Sequence, residues 1–287
     1  MKKVVLTSNP YRDAGFKEVR EAIRVLHDAG VETKLCLPFE VDRSFELPKD
    51  LRFHRLDREV IGADALICLG GDGTILHMAK FATRHNIPIL GVNIGTMGFI
   101  AELESSDVEL LRRLACDDYS VDTRMMLDVT MLRGRDILYH DLCLNDVVVT
   151  KGTVARILNL SVSCDGVQAM ECAGDGVIVA TPTGSTAYSL SAGGPIVEPD
   201  AKSILITPIC AHDMSSRCMV ASDRRVISIG LTKNARRNAL LSVDGGKAIK
   251  VNVDDVVTVK VSDKRTRFIR LKDRSFYDIV KMKFKSV

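Results

Sequence analysis

Short apolar runs alternate with amphipathic stretches along the first part of the chain. Residues 4–8, 31–37 and 88–93 have the length and composition of buried strands, whereas residues 16–27 have the spacing of an amphipathic helix. Alternation of this kind is typical of a parallel sheet with helices on both faces. We therefore predict an α/β N-terminal domain with a Rossmann-like parallel sheet over residues 1–118.

Beyond residue 118 the pattern changes to apolar strands at short spacing, with few helices. Asp165-Gly166 separates two such strands and is among the strongest two-residue hairpin signals, and residues 133–135 mark a second hairpin. This pattern predicts an antiparallel β-domain over residues 119–264. Apolar runs at 256–261 and 268–271 predict separate strands, and the tail from residue 265 ends in a basic helix.

Composition narrows the class of protein. The 287 residues are 46% hydrophobic and 27% charged, with no run of membrane-spanning length and no signal peptide, so we expect a globular cytoplasmic protein. A net charge of +3 is too small to indicate nucleic-acid binding. Late basic residues indicate either solvated faces or attraction of a polyanionic substrate such as a nucleotide. The eight cysteines form no CxxC pair and mostly lie in apolar runs, which favours buried, reduced thiols.

The segment Gly70–Thr74, of sequence GGDGT, follows the apolar run at 65–69 and precedes apolar positions at helical spacing. Glycines let backbone N–H groups approach a ligand closely, and a helix N-terminus favours negative charge. Asp72 would repel a bare phosphate, so it makes sense beside a metal ion or a hydroxyl that loses a proton. On this loop alone, phosphate binding and a purely structural turn are equally favoured.

Three further segments are unusually rich in glycine and polar residues. The loop at 93–99 places Phe99 either beside a flat ring or in the core. Asn145-Asp146 begins a β-branched run and forms either a turn or an amide contact with adenine. The segment at 174–195 carries hydroxyl groups at seven of the eleven positions from 181 to 191, which suits ribose, amide or phosphate oxygens.

These motifs, in this order and spacing, closely resemble the NAD kinase family of bacterial type. The resemblance covers nearly the whole chain. Lipid kinases share the GGDGT loop, but the TPTGSTAYSLSAGGP block at 181–195 is much more specific. The resemblance implies transfer of the γ-phosphoryl group of ATP to the 2′-hydroxyl of the adenosine ribose of NAD, giving NADP, with Mg²⁺ or another divalent metal on the triphosphate.

The resemblance also implies an architecture. Members of the family have an N-terminal α/β domain and a C-terminal β-sandwich, with the tail (here residues 265–287) returning to the first domain. They assemble as homodimers or homotetramers, and the dinucleotide site lies near a subunit interface.

Carried onto this sequence, the resemblance makes Asp72 the catalytic residue, with Gly73 beside it and His77 lining the site. Asn145 and Asp146 match the pair that contacts the dinucleotide, with adenine opposite Asn145. The remaining predicted contacts are Phe99 near the adenine, Arg156 as a basic position near the substrate, Asp175 at the nicotinamide end, Cys210 at a variable lining position, and the loop residues Thr183, Thr186, Ala187, Tyr188, Ser189, Leu190 and Ser191.

One position suggests a difference in specificity. Ala173 stands where relatives that are strict for NAD over NADH carry a basic residue. Its small side chain predicts weaker discrimination between the two dinucleotides.

Two alternatives remain beside the NAD kinase interpretation. A lipid or sphingoid-base kinase would share the GGDGT loop, but it would lack the block at 181–195 and would need an apolar entry segment. A catalytically silent nucleotide-binding regulator would be favoured by loss of Asp72 or Asn145, and both residues are present.

Overall fold

The computed structural model of the chain describes residues 1–95, 98–152, 157–212, 216–232 and 239–285. The chain divides into two compact units. The first comprises Met1–Thr123 together with the chain from Thr266 onward, and the second comprises Arg124–Arg265. In the described residues, no helix is both long enough and apolar enough to cross a membrane.

The first unit is built on a parallel sheet. Its strands and α-helices are, in chain order, β1 (Lys3–Ser8), α1 (Lys17–Asp28), β2 (Glu32–Cys36), α2 (Leu56–Glu59), β3 (Ala65–Gly70), α3 (Asp72–Arg84), β4 (Ile89–Asn93) and β5 (Leu103–Glu104). β1 lies between β2 and β3, and β4 pairs with β3. β5 extends the pairing along the end of β4, and all of these pairs are parallel. Short 3-10 helices cover Ala14–Phe16 and Ser105–Cys116.

Burial explains why these segments adopt these elements. Every residue of β3 is buried, as expected for a strand of a parallel sheet that is covered on both faces. The helical spacing after the glycine loop is confirmed, because the predicted inward face of α3 is fully buried. Its members are Ile75, Met78, Ala79 and Ala82. This burial fixes the direction in which α3 leaves the sheet, and with it the orientation of the glycine loop.

The second unit consists mainly of strands. The elements from Ser120 onward are β6 (Ser120–Arg133), β7 (Asp136–Cys143), β8 (Asp146–Lys151), β9 (Leu158–Cys164), β10 (Val167–Gly174), β11 (Gly176–Ala180), α4 (Tyr188–Ser191), β12 (Ser203–Ile209), β13 (Met219–Ser222), β14 (Ile227–Leu231), β15 (Ala239–Val243), β16 (Ile249–Val251) and β17 (Asp255–Arg270). One sheet has the order β13-β12-β11-β8-β15-β16. The other contains β10-β9-β14-β17, with β6 paired to both β17 and β7.

The two antiparallel sheets of this unit share one hydrophobic core. Val147, Val149 and Val179 of the first sheet belong to the same buried cluster as Leu160 and Val162 of the second. The predicted β-sandwich is therefore confirmed, as is the α/β N-terminal region. The Asp165-Gly166 hairpin is also confirmed: both residues have positive φ, of 50° and 80°, which a type I′ turn requires.

The end of the chain belongs to the first unit. The last residues of β17 pair in parallel with β4, through Phe268 and Ile89, and α5 (Phe276–Lys285) follows. The prediction of two separate strands was wrong, because β17 runs without interruption through the polar residues between them. A charged stretch carries no apolar alternation, so the sequence pattern alone does not reveal that the strand continues.

A buried carboxylate holds this returning segment. Glu102 accepts hydrogen bonds from the backbone N–H groups of Leu271 (2.8 Å) and Lys272 (2.6 Å). It also pairs with the guanidinium of Arg270 at 3.1 Å. Three donors on consecutive residues thus satisfy one carboxylate that is only 8% exposed.

Candidate functional site

The glycine loop lies at the carboxyl end of β3, and a side chain at either of two of its positions would meet a neighbouring side chain. A Cβ on Gly70 would lie 2.7 Å from the Cβ of Thr74, and one on Gly71 would lie 2.8 Å from Nη1 of Arg12. Gly71 is the N-cap of α3, and Asp72 is the first residue of the helix. The loop therefore brings backbone and a carboxylate together at a helix N-terminus, where the helix dipole stabilises the negative charge.

The carboxylate of Asp72 is held by the loop that follows β4. Its Oδ2 accepts a hydrogen bond from the backbone N–H of Phe99 at 2.8 Å, and its Oδ1 accepts a longer one from Ile100 at 3.4 Å. Gly98 lies so close that a Cβ there would stand 1.7 Å from Oδ1. Asp72 is half-buried, and an ionised carboxylate accepts about four hydrogen bonds, so it retains the capacity to bind a further partner.

The other predicted residues of the first unit lie near this carboxylate. Gly73 is exposed with open space around it, and His77 is exposed one helical turn later. Phe99 is half-buried, and Nζ of Lys283, on α5, lies 5.4 Å from the centroid of its ring. The structure thus brings Asp72, Gly73, His77 and Phe99 to one end of the parallel sheet, where ligands bind in open α/β folds.

In the second unit, a single carboxylate organises the Asn145-Asp146 pair. Asp244 accepts hydrogen bonds from the backbone N–H groups of Leu144 (2.9 Å), Asn145 (2.7 Å) and Asp146 (3.1 Å). Asp244 itself has φ of 50°, in the left-handed region. The side-chain Oδ1 of Asn145 is buried and has no hydrogen-bond partner in the described part of the chain.

Asp146 is buried beside this carboxylate. Burial, reinforced by the nearby charge of Asp244, raises the pKa of Asp146 to about 6. The backbone N–H of Tyr188 donates a hydrogen bond to Asp146, which opposes the shift. Asp146 therefore links the start of β8 to α4.

The hydroxyl-rich segment packs directly against Asn145. Thr181 Oγ1 donates to the carbonyl of Leu144 at 2.5 Å and accepts the N–H of Gly184 at 3.0 Å. A Cβ on Gly184 would lie 2.0 Å from the Asn145 carbonyl oxygen, so glycine is required for this approach. A 3-10 helix over Thr183–Thr186 and the short α4 then follow one another along the chain.

The residues of the hydroxyl-rich segment that were predicted to contact the ligand differ in their exposure to solvent. Tyr188 and Ser191 are exposed, and four other predicted residues are partly exposed: Thr183, Thr186, Ala187 and Leu190. Ser189, by contrast, is fully buried, and its hydroxyl bonds to that of Thr207 at 2.8 Å. Its side chain anchors the segment rather than facing solvent.

A second group of predicted residues lies at the opposite end of β11. Asp175 precedes that strand, and its Oδ1 pairs with Nζ of Lys151 at 2.5 Å. The Asp175 N–H donates to the carbonyl of Ile209 at 2.9 Å, next to the exposed Cys210. Ala173 is half-buried on the adjoining end of β10. This group stands about 20 Å along the strand from the Asn145 group, at about 3.3 Å per residue. Arg156 lies outside the described residues.

Several residues that contact the predicted site residues were not predicted from the sequence. Arg12 and Asn9 lie in the loop after β1, yet they reach the glycine loop that follows β3. The one available signal was their position at the end of a parallel strand, since such ends share an edge. Asp244 was missed as well, because its three backbone contacts depend on tertiary structure.

All eight cysteines are free thiols. The expected burial holds for Cys36, Cys68, Cys143 and Cys172, whereas it is wrong for the exposed Cys116 and Cys210. Burial raises the pKa of the Cys36 and Cys68 thiols to about 12. Within the described ranges, no group of three or more His, Cys, Asp or Glu side chains could hold a metal ion.

The shifted pKa of Asp146 predicts a specific pH dependence of stability. Because the folded state raises this pKa from about 3.8 to about 6, it binds the proton more tightly than the unfolded chain does. The resulting contribution to the free energy of unfolding is complete below about pH 4 and is lost as the pH rises through 6. Asp146→Asn removes it while retaining an acceptor for the Tyr188 N–H. From pH 5 to pH 8, the free energy of unfolding of the variant should therefore rise relative to the parent by about 1.5 kcal/mol.

Urea unfolding of both proteins at the two pH values measures this difference. Parallel pH profiles for the parent and Asp146→Asn would contradict the assignment.

Comparison with known proteins agrees with this organisation. A model of the ATP-NAD kinase N-terminal domain matches residues 16–119, and one of the ATP-NAD kinase C-terminal domain matches residues 144–271. An NAD kinase of Acetivibrio thermocellus is 37% identical over 284 residues, which is 99% of this chain and 97% of that protein.

Two solved structures share the fold. Yeast NADH kinase complexed with NADH superimposes with a TM-score of 0.82 at 26% identity, over 98% of this chain and 86% of that one. An NAD kinase from Archaeoglobus fulgidus in complex with ATP gives a TM-score of 0.73 at 26% identity, with both chains covered completely. On these matches, the chain belongs to the ATP-NAD kinase family.

Proposed function

We propose that this protein transfers the γ-phosphoryl group of ATP to the 2′-hydroxyl of the adenosine ribose of NAD, with Asp72 as the general base. The observation that carries the proposal is the carboxylate of Asp72, held at the N-terminus of α3 by the backbone N–H of Phe99. The ATP and NADH named for the two structural relatives supply both substrate classes.

The timing of proton transfer follows from acidity. A ribose hydroxyl is a far weaker acid than a carboxylic acid, so Asp72 cannot remove the proton before attack. Phosphoryl transfer passes through a loose transition state that needs little charge on the nucleophile early on. Asp72 therefore accepts the proton as the bond to phosphorus forms, and its fixed orientation is its main contribution.

Charge neutralisation at the phosphates is the second requirement. Asp72 N–H and Gly73 N–H, in the first turn of α3, have no acceptor among the described residues. These donors would act together with a Mg²⁺ that arrives on the triphosphate, held by phosphate oxygens. The ion would supply electrostatic stabilisation of the transferring group.

We further propose that the second unit binds the dinucleotide. The unpartnered Oδ1 of Asn145 is suited to accept the exocyclic amine of adenine, because leaving a buried acceptor unsatisfied costs about 1–3 kcal/mol. Asp146 and the exposed hydroxyl groups of the following segment would contact the ribose and phosphates, and Asp175 the nicotinamide end. The roles of Phe99, Arg156 and Cys210, the homodimeric or homotetrameric state and the cytoplasmic location remain predictions from the family resemblance.

Substitution of Asp72 tests the central role. Asp72→Asn retains an acceptor for the Phe99 N–H but cannot take a proton, so we expect turnover to fall by at least about 10²-fold. Binding of ATP and NAD should remain. NADP formation, read with a coupled NADP-specific dehydrogenase, measures the loss.

Asp136→Asn, at an exposed position of β7, is the matched control and should turn over like the parent. Near-normal turnover by a well-folded Asp72→Asn protein would show that Asp72 is not the base.

The small side chain of Ala173 predicts that the protein discriminates weakly between NAD and NADH. This side chain ends at Cβ and carries no charge to distinguish the two nicotinamide rings. We expect kcat/KM values for NAD and NADH that differ by less than about tenfold, which is the discrimination that small contacts provide. Ala173→Arg should shift the ratio toward NAD. Strict preference of the parent for NAD would contradict this prediction.

A further inference from the structure

Arg12 lies against the backbone of two other loops. It is exposed, in the loop that follows β1. Its Nη1 is so close to Gly71 and Gly95 that a Cβ on either glycine would stand 2.8 or 2.9 Å from it. Gly71 follows β3 and Gly95 follows β4. The guanidinium therefore occupies the edge where three parallel strands end, next to the residue that opens α3.

Buried hydrogen bonds fix the residues on the N-terminal side of Arg12. The backbone N–H of Asn9 donates to the carbonyl of Leu69 at 2.9 Å. Its side-chain Nδ2 donates to Oγ1 of Thr74 at 2.8 Å, and both side chains are buried. This side of the loop is thereby tied to β3 and to the first turn of α3.

The residue after Arg12 is fixed as firmly. Asp13 is 1% exposed and accepts hydrogen bonds from Oγ of Ser8 (2.6 Å) and from the backbone N–H groups of Glu18 (2.9 Å) and Val19 (3.1 Å). With Asn9 and Asp13 anchored, and with the Arg12 N–H donating to the Asn9 carbonyl at 3.0 Å, the backbone of Arg12 is preorganised.

The charge of this guanidinium has no counterpart in the described structure. Other exposed arginines of the same unit bind carboxylates, as Arg20 binds Asp50 and Arg24 binds Glu21. Among the described residues, by contrast, the Arg12 guanidinium forms no hydrogen bond or ion pair. It lies next to Gly71, which precedes Asp72 and Gly73, and the N–H groups of these two residues likewise lack acceptors there. A fork of guanidinium donors next to free helix N–H groups matches the oxygens of a phosphate.

We propose that Arg12 binds the terminal phosphates of ATP and positions the γ-phosphoryl group beside Asp72. This inference rests on the proposed function, because that function makes ATP the phosphate donor. NAD also carries phosphates. The triphosphate is the better occupant because the group to be transferred must lie next to Asp72, which shares the glycine loop with the Arg12 contact.

Kinetics of Arg12→Gln test the assignment. A hydrogen bond to a charged group contributes about 1.5–3 kcal/mol, so we expect the KM for ATP to rise at least about tenfold. The KM for NAD should stay within about twofold, the scatter expected for an uninvolved position. Arg12→Lys should recover part of the loss, because it keeps the charge but not the bidentate fork. Arg112→Gln, at an exposed arginine paired with Glu109, should match the parent.

Calorimetric titration separates this inference from the proposed function. ATP and adenosine are titrated into the parent and into Arg12→Gln without NAD, after urea unfolding has shown equal stability. Weaker ATP binding with unchanged adenosine binding supports the phosphate contact, even if no NADP is formed. Unchanged ATP affinity, or a raised KM for NAD in place of ATP, would overturn it.

Discussion

The site brings the Asp72 carboxylate, the N-terminus of α3 and the backbone of the loop after β4 into one small volume. Side chains at the neighbouring glycine positions would fill that volume. Gly98 leaves the space that Oδ1 of Asp72 occupies, and Gly71 leaves the space for the Arg12 guanidinium. The two backbones approach closely because the parallel strands β3 and β4 end at the same edge of the sheet. The hydrogen bond from the Phe99 N–H then selects one orientation of the carboxylate.

In the second unit, a carboxylate also contacts the backbone of a turn. There, Asp244 accepts three consecutive backbone N–H groups, which orders the turn before β8. A second carboxyl group, that of Asp146, is buried close to Asp244. Burial and this nearby charge raise the pKa of Asp146, so it is protonated more readily. Asn145 is left with a buried oxygen that has no partner within the described chain. We propose that this oxygen accepts a hydrogen bond from the dinucleotide, since buried polar groups normally have a hydrogen-bond partner.

Local pattern was enough to predict much of this architecture. The buried face of α3 follows from helical spacing, and the Asp165-Gly166 turn follows from the backbone freedom of its residues. The uninterrupted strand β17 did not follow, because its polar middle carries no periodic signal. Loop neighbours such as Arg12 depend on which strands lie side by side, which is a property of the sheet rather than of any segment. Ser189 shows the same limit, since its burial against Thr207 is set by α4 and β12 together.

We propose that the orientation of the Asp72 carboxylate, and not merely its presence, makes the loop catalytic. Gly98→Ala tests it most directly, because the three atoms nearest to the new Cβ all belong to the Asp72 carboxylate, with Oδ1 at 1.7 Å. We predict a fall in turnover of about tenfold or more, since small displacements of reacting groups are costly, with the free energy of unfolding nearly unchanged. Gly230→Ala, whose Cβ would meet only a carbonyl oxygen at 4.0 Å, is the control and should turn over like the parent. Parent-like turnover by Gly98→Ala would contradict the account.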